Sequence, residues 1–227
     1  MSAAVPRCPG SVIEACTASP EETRALGRAL AGALRPGDVL LVSGDLGAGK
    51  TVLAQGVAAG LGVRDAVTSP TFTLVRPLTC GPEAGDPTGP GPVRTMLHAD
   101  LYRLEHRHEV VDLALDELVE EEAVAVIEWG EAATSLVGRD ALGICLEPPP
   151  DDRSTAATPA SAAAAVVSAP TPPITDGGDV AGDVRLVRVT VPPRWTARAG
   201  TLAHALAPWT TGPLHADRSA PGDLSPC

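Results

Sequence analysis

At 227 residues the chain suffices for one well-buried α/β domain with extra sequence and is marginal for two. A formal charge of −11 disfavours loose attraction to tRNA, DNA or an anionic membrane, and an aromatic content of 2% leaves little with which to stack bases. Five scattered cysteines without a C-x-x-C pair argue for reduced thiols over a disulfide framework or zinc site, and no apolar run approaches the roughly 20 residues of a membrane span, so a cytoplasmic, membrane-free protein is expected.

Residues 1–16 read as a leader with a possible strand at Ser11–Ala15 and no apolar core of signal-peptide type. Ser19-Pro20-Glu21-Glu22 then starts a helix: Ser19 can cap, Pro20 suits the first helical position and Glu22 closes a capping box. Leu26, Leu30 and Leu34 follow at helical spacing, and Arg35-Pro36-Gly37-Asp38 breaks the helix. Val39–Val42 is a continuous apolar run, as in a parallel strand buried on both faces. It feeds GDLGAGKT at 44–51, which fits the phosphate-loop pattern G-x-x-x-x-G-K-[ST] in full. A helix with Leu53, Val57 and Leu61 in register follows, and Gly62 is placed to end it.

Lys50 in that loop is the single lysine of the chain; the other sixteen basic residues (17 − 1) are arginine. A compact ammonium fits among phosphate oxygens inside a tight loop where a planar guanidinium does not. Strand, glycine loop and helix together predict binding of a nucleoside triphosphate, with loop amides on the phosphates and the Thr51 hydroxyl on Mg²⁺.

Thr68-Ser69-Pro70-Thr71-Phe72 is a polar stretch that either orders around a γ-phosphate or is a plain turn entering a strand at Phe72–Val75. Thr79–Pro92, rich in Gly and Pro, reads as a surface loop outside the core. Thr95–Asp100 reads as a strand ending in Asp100, a second metal contact or a base; for Tyr102 and Arg103, packing and a surface salt bridge remain open. His106 and His108 read as solvated surface, Val110–Leu118 as an amphipathic helix and Glu120–Glu122 as its solvated end. Ala123–Ile127 is another buried strand, ending in Glu128, which holds Mg²⁺ directly or through water, orients the attacking water, or is only a surface acid.

Ala141–Glu147 and Val184–Val191 read as a closing pair of strands, split by the Pro/Ala/Ser/Thr-rich stretch Pro148–Gly182, which reads as a disordered insertion. The expected division is a leader (1–16), a P-loop core (17–147), the insertion (148–182), a strand and helix completing the core (183–207) and a disordered tail (208–227). The expected fold is α/β and P-loop NTPase-like: a mostly parallel sheet flanked by helices, with the insertion before the last strand.

Four segments, GDLGAGKT at 44–51, VTSPTFTLV at 67–75, HADLYRL at 98–104 and VIEWGE at 126–131, stand in an order and spacing that resembles the TsaE (YjeE) family of bacterial ATPases. The likeness spans about residues 17–147 and a last strand near Val184–Val191. It implies ATP and Mg²⁺ as cofactors, slow ATP hydrolysis, and a role in forming threonylcarbamoyladenosine at position 37 of tRNAs that read codons beginning with A. It also implies docking on the TsaD–TsaB pair, which performs the transfer, so that tRNA is met only indirectly.

Residue by residue, the resemblance implies that Gly44, Asp45, Gly47, Ala48, Gly49, Lys50, Thr51 and Val52 surround the phosphates. Thr51 and Glu128 would hold Mg²⁺, and Lys50, Asp100 and Glu128 would carry catalysis. Thr71 belongs to the nucleotide-sensing segment, Trp129 shapes the site or the partner surface, and Arg185 approaches the nucleotide, with Arg153 as a competitor. The chain departs from the family in its long 79–92 loop, in Gly130 where Pro or Ser is common, and in the insertion and tail.

Two other readings share the loop. A small-molecule kinase needs an acceptor pocket and usually an Arg-rich lid, for which Arg103 and Arg107 are the nearest pair. A nucleotide-dependent docking switch would hydrolyse only incidentally. Guanine reading through N-K-x-D is excluded, because the chain has no asparagine.

Overall fold

The computed structural model describes residues 11–70, 74–102, 123–130, 140–148 and 184–210. Several expectations lie outside these residues: the roles of Thr71, Arg103, Arg153, His106 and His108, the Val110–Leu118 helix, Glu120–Glu122, and nearly all of the insertion.

The chain forms β1 (Ser11–Thr17), α1 (Pro20–Ala31), β2 (Val39–Ser43), α2 (Lys50–Gly60), β3 (Val75–Thr79), β4 (Thr95–Asp100), β5 (Ala123–Glu128), β6 (Leu142–Glu147) and β7 (Arg185–Val191). A 3-10 turn (Pro193–Arg198) leads into α3 (Ala199–Leu206) and a last short turn (Ala207–Trp209). All seven strands join one sheet in the order β1-β7-β6-β2-β5-β4-β3.

The pairs β6–β2, β2–β5 and β5–β4 are parallel, while β3–β4, β6–β7 and β7–β1 are antiparallel. Two reversals restore the sense of β1, so five of the seven strands run one way and β3 and β7 oppose them. The sheet is therefore mixed by pairing, with a parallel centre. That centre aligns the carboxyl ends of β2, β4 and β5 at one edge, where open α/β sheets bind ligands.

α1 begins as its sequence dictates. Ser19 Oγ accepts from Glu22 N at 3.2 Å, and Glu22 Oε2 accepts from Ala18 N at 2.8 Å, so two backbone donors at the helix mouth are satisfied. Leu26, Leu30 and Leu34 are fully buried, as are Leu53, Val57 and Leu61 of α2 and its C-terminal end. The two helices touch backbone to backbone: a Cβ on Gly27 would lie 2.4 Å from Leu53 O, and one on Gly56 2.2 Å from Arg24 O.

One sheet face, with Leu40, Val42, Met96, Val124 and Val126, packs in a single cluster with α1, α2 and α3. The other face buries Leu41, Leu97, Ala99, Ala125 and Ile127.

Three details differ from the sequence reading. β3 runs from Val75 to Thr79 and contains Pro77, which an edge strand tolerates because one side of its backbone needs no sheet partner. The 79–92 loop is not purely superficial: Ala84 joins the core cluster, and Asp86 is buried against Arg35 Nε at 2.9 Å and Thr88 Oγ1 at 2.7 Å. Burial works against the Asp86 carboxylate, but the hydrogen bonds from Thr88 and Arg35 outweigh it and hold the carboxyl below the usual range. Burial also pushes the Cys80 thiol up to about 11. Cys145 is disulfide-bonded, against the expectation of reduced thiols throughout, whereas Cys16 and Cys80 are free.

The C-terminal segment is pinned by a buried ion pair. Arg198 grips Asp38 through Nη1–Oδ2 at 2.6 Å and Nη2–Oδ1 at 2.9 Å, and Arg194 adds a contact to Oδ1 at 2.6 Å. Order continues past Pro208, since Thr210 bridges to Ala15 of β1.

Candidate phosphate and metal site

β2 delivers the chain to the carboxyl edge of the sheet, and residues 44–49 turn it back into α2. Gly44, Gly47 and Gly49 all have positive φ, at 132°, 81° and 101°. Gly44 has no room for a side chain in any case: a Cβ there would stand 2.3 Å from Leu146 O. α2 opens at Lys50 with Gly49 as its N-cap, no side-chain cap and no acidic residue in its first turn. Its first N–H groups and the positive end of its dipole thus face the loop without a built-in anion, the arrangement that receives phosphate oxygens.

Lys50 Nζ donates to Gly44 O at 2.6 Å and Asp45 O at 2.7 Å, and lies 3.6 Å from the centroid of the Trp129 ring. Trp129 follows β5 in the left-handed region, at φ 58°, a conformation costing about 1–2 kcal/mol for a side-chain-bearing residue. It brings the indole both under the ammonium and against the Tyr102 ring, 4.8 Å between centroids. Tyr102 therefore packs, as one sequence reading had it, although its residue is 55% exposed.

Thr51 Oγ1 donates to Glu128 Oε2 at 2.8 Å. Glu128 is buried at the end of β5, which overturns the reading of it as a surface acid. Asp100 stands beside it, in register on β4, and is buried as well. Its Oδ1 accepts from Tyr102 N at 3.0 Å, and its Oδ2 accepts from the Ser69 hydroxyl. Ser69 thereby ties the 67–70 stretch to the sheet edge, and Gln55 Nε2 donates to Val67 O at 3.0 Å from α2.

Arg185 reaches the loop from outside the P-loop core. Its Nε donates to Ala48 O at 3.1 Å and its Nη2 to Gly47 O at 3.4 Å. It braces the loop through carbonyls, a contact distinct from the nucleotide approach inferred from the sequence. Ala48 is buried and Val52 lies in the first turn of α2.

The residues present fit a nucleotide's phosphates and a hard cation. Uncapped helix amides and an ammonium suit anionic oxygens, while a hydroxyl and a carboxylate 2.8 Å apart, with a second carboxylate adjacent, supply the oxygen donors that Mg²⁺ prefers.

Sequence reasoning gave no role to two residues here. Ser69 was visible only as part of a polar stretch. His98 was quoted in HADLYRL, yet its Nε2 meets Glu128 Oε1 at 2.8 Å with both side chains buried. Its signal was its parity: two residues before Asp100 in a strand, it is the polar member of a face otherwise apolar up to the carboxylate.

Comparison with known proteins agrees with this geometry. A family model described as "Threonylcarbamoyl adenosine biosynthesis protein TsaE" matches residues 17–155. The chain belongs to the TsaE family. It is 38% identical over 131 residues to the tRNA threonylcarbamoyladenosine biosynthesis protein TsaE of Bacillus subtilis, covering 58% of this chain and 75% of that protein. It is 45% identical over 125 residues to the Streptomyces coelicolor protein of the same description, covering 55% and 78%. The crystal structure of Bacillus subtilis YdiB superposes with a TM-score of 0.55 at 25% identity, over 88% of this chain and 96% of that one. The TsaE match ends before β7, so Arg185 lies beyond it although β7 is hydrogen-bonded into the same sheet. No helix among the described residues is long and apolar enough to cross a membrane.

Proposed function

We propose that this protein binds ATP with Mg²⁺ and hydrolyses it slowly, in the service of threonylcarbamoylation of tRNA adenosine by a TsaD–TsaB complex on which it docks. The observation that carries the reading is the convergence of three elements on one point. A glycine loop with its lysine, the first turn of α2 with Thr51, and the end of β5 with Glu128 meet within hydrogen-bonding distance.

Loop amides and Lys50 would bind the phosphate oxygens, with charge-assisted hydrogen bonds about twice as strong as neutral ones. Thr51 and Glu128 would hold Mg²⁺, which when bound neutralises charge developing on the outer phosphates. Asp100, whose carboxylate accepts from the Ser69 hydroxyl and from Tyr102 N, would orient a water or take its proton at a carboxylate oxygen. Trp129, under the Lys50 ammonium, stabilises that charge through its ring face. The net charge of −11 supports an encounter with tRNA through partners, not through this surface.

Purified protein should turn over ATP slowly alone and faster with TsaD–TsaB. Phosphoryl transfer to a metabolite with no partner present would favour the kinase alternative. Partner binding that depends on ATP but leaves hydrolysis unstimulated would favour the docking switch.

A further inference from the structure

His98 sits in the middle of β4 on the sheet face that packs against α2, fully buried between apolar neighbours. Across the strand pair it is opposite Val126, so its contact with Glu128 runs diagonally, two residues further along β5. Such a diagonal spans about 7–8 Å between backbones, which a histidine ring bridges. Glu128 as a carboxylate can only accept, so Nε2 carries the proton. His98 Nδ1 is buried with no hydrogen-bond partner among the described residues.

We propose that His98 is a positioning residue for the divalent-cation site: it holds one Glu128 oxygen through Nε2–H and so aims the other at Thr51 and the metal. Glu128 thus has each oxygen assigned, Oε1 to His98 and Oε2 to Thr51. Among the described residues the one hydrogen bond of this buried ring is to that carboxylate, so its polarity serves Glu128. Partners of this kind, which orient a metal ligand, commonly alter metal affinity by about 10–100-fold when removed.

The inference rests on the Mg²⁺ reading above, and the test separates the two. Mn²⁺ affinity in the presence of ADP is measured by electron paramagnetic resonance, alongside ADP binding in EDTA. The proteins compared are wild type, His98→Met, His98→Gln and His98→Asn. Gln can present an N–H near the Nε2 position; Asn carries the same amide but is too short, and Met fills the space without a donor. Met and Asn should weaken Mn²⁺ binding about tenfold or more, with ADP binding in EDTA unchanged, and Gln should restore most of the loss. Wild-type Mn²⁺ affinity in Met, or equal losses in Gln and Asn, overturns the assignment of His98. The Gln–Asn pair decides the matter if Met does not fold. A wild-type protein whose ADP complex takes up no Mn²⁺ instead overturns the metal site itself.

Discussion

The tasks proposed for Lys50 and Glu128 are separable, and single substitutions should divide them. Lys50→Ala removes an ammonium from a loop that otherwise offers only backbone donors. ATP affinity, measured by calorimetry, should fall about 10–100-fold, the value of one or two charged hydrogen bonds. Glu128→Ala should leave ATP binding in EDTA near wild type and abolish the Mg²⁺-dependent part of turnover; unchanged turnover would remove Glu128 from the metal shell. Both residues were legible because their placement is local: a loop pattern fixes one, and the last residue of an apolar strand fixes the other. His98 was not, since its task depends on a diagonal between two strands whose pairing and register no short pattern specifies. Arg185 was named only through the family resemblance, and its loop contacts, which join residues 137 positions apart, are reported by no local pattern.

At the level of elements, α1, β2 and α2 were legible because caps, breakers and apolar periodicity agree with one another. β3 was obscured by Pro77, which only its edge position excuses. Nothing local announced that Asp38, at a helix break, anchors the far end of the chain. Arg198→Ala leaves that carboxylate buried with a weaker set of partners and should cost about 3–5 kcal/mol in urea unfolding, the range for breaking a buried pair. The loop after β3 makes a prediction in pH. With its thiol raised from 9.0 to about 11, Cys80 is neutral in folded and unfolded chains below pH 9. The unfolded thiol ionises first, so its contribution is lost as pH rises from 9 through 11. Cys80→Ala should flatten the alkaline fall in stability over that window, measured by denaturant titration against wild type.

For the molecule as a whole, the class of fold was legible from alternating strand and helix signals, while the strand order was not. Order depends on which edges meet, and β7 wedges between β6 and β1 from the far side of the long 149–183 stretch. That wedge sets a timetable for a chain emerging from a ribosome. Thr17 pairs with Arg185, 168 positions later (185 − 17), so β1 waits for its seat roughly 8–34 s at 5–20 residues per second. Until then the nascent protein has its Walker-type loop but neither the arginine strut behind it nor a closed flank beside β6. Competence to hold nucleotide firmly would therefore arrive only once β7 has been made, and a stop codon ahead of residue 184 would cost the sheet two strands, β7 and the β1 that depends on it.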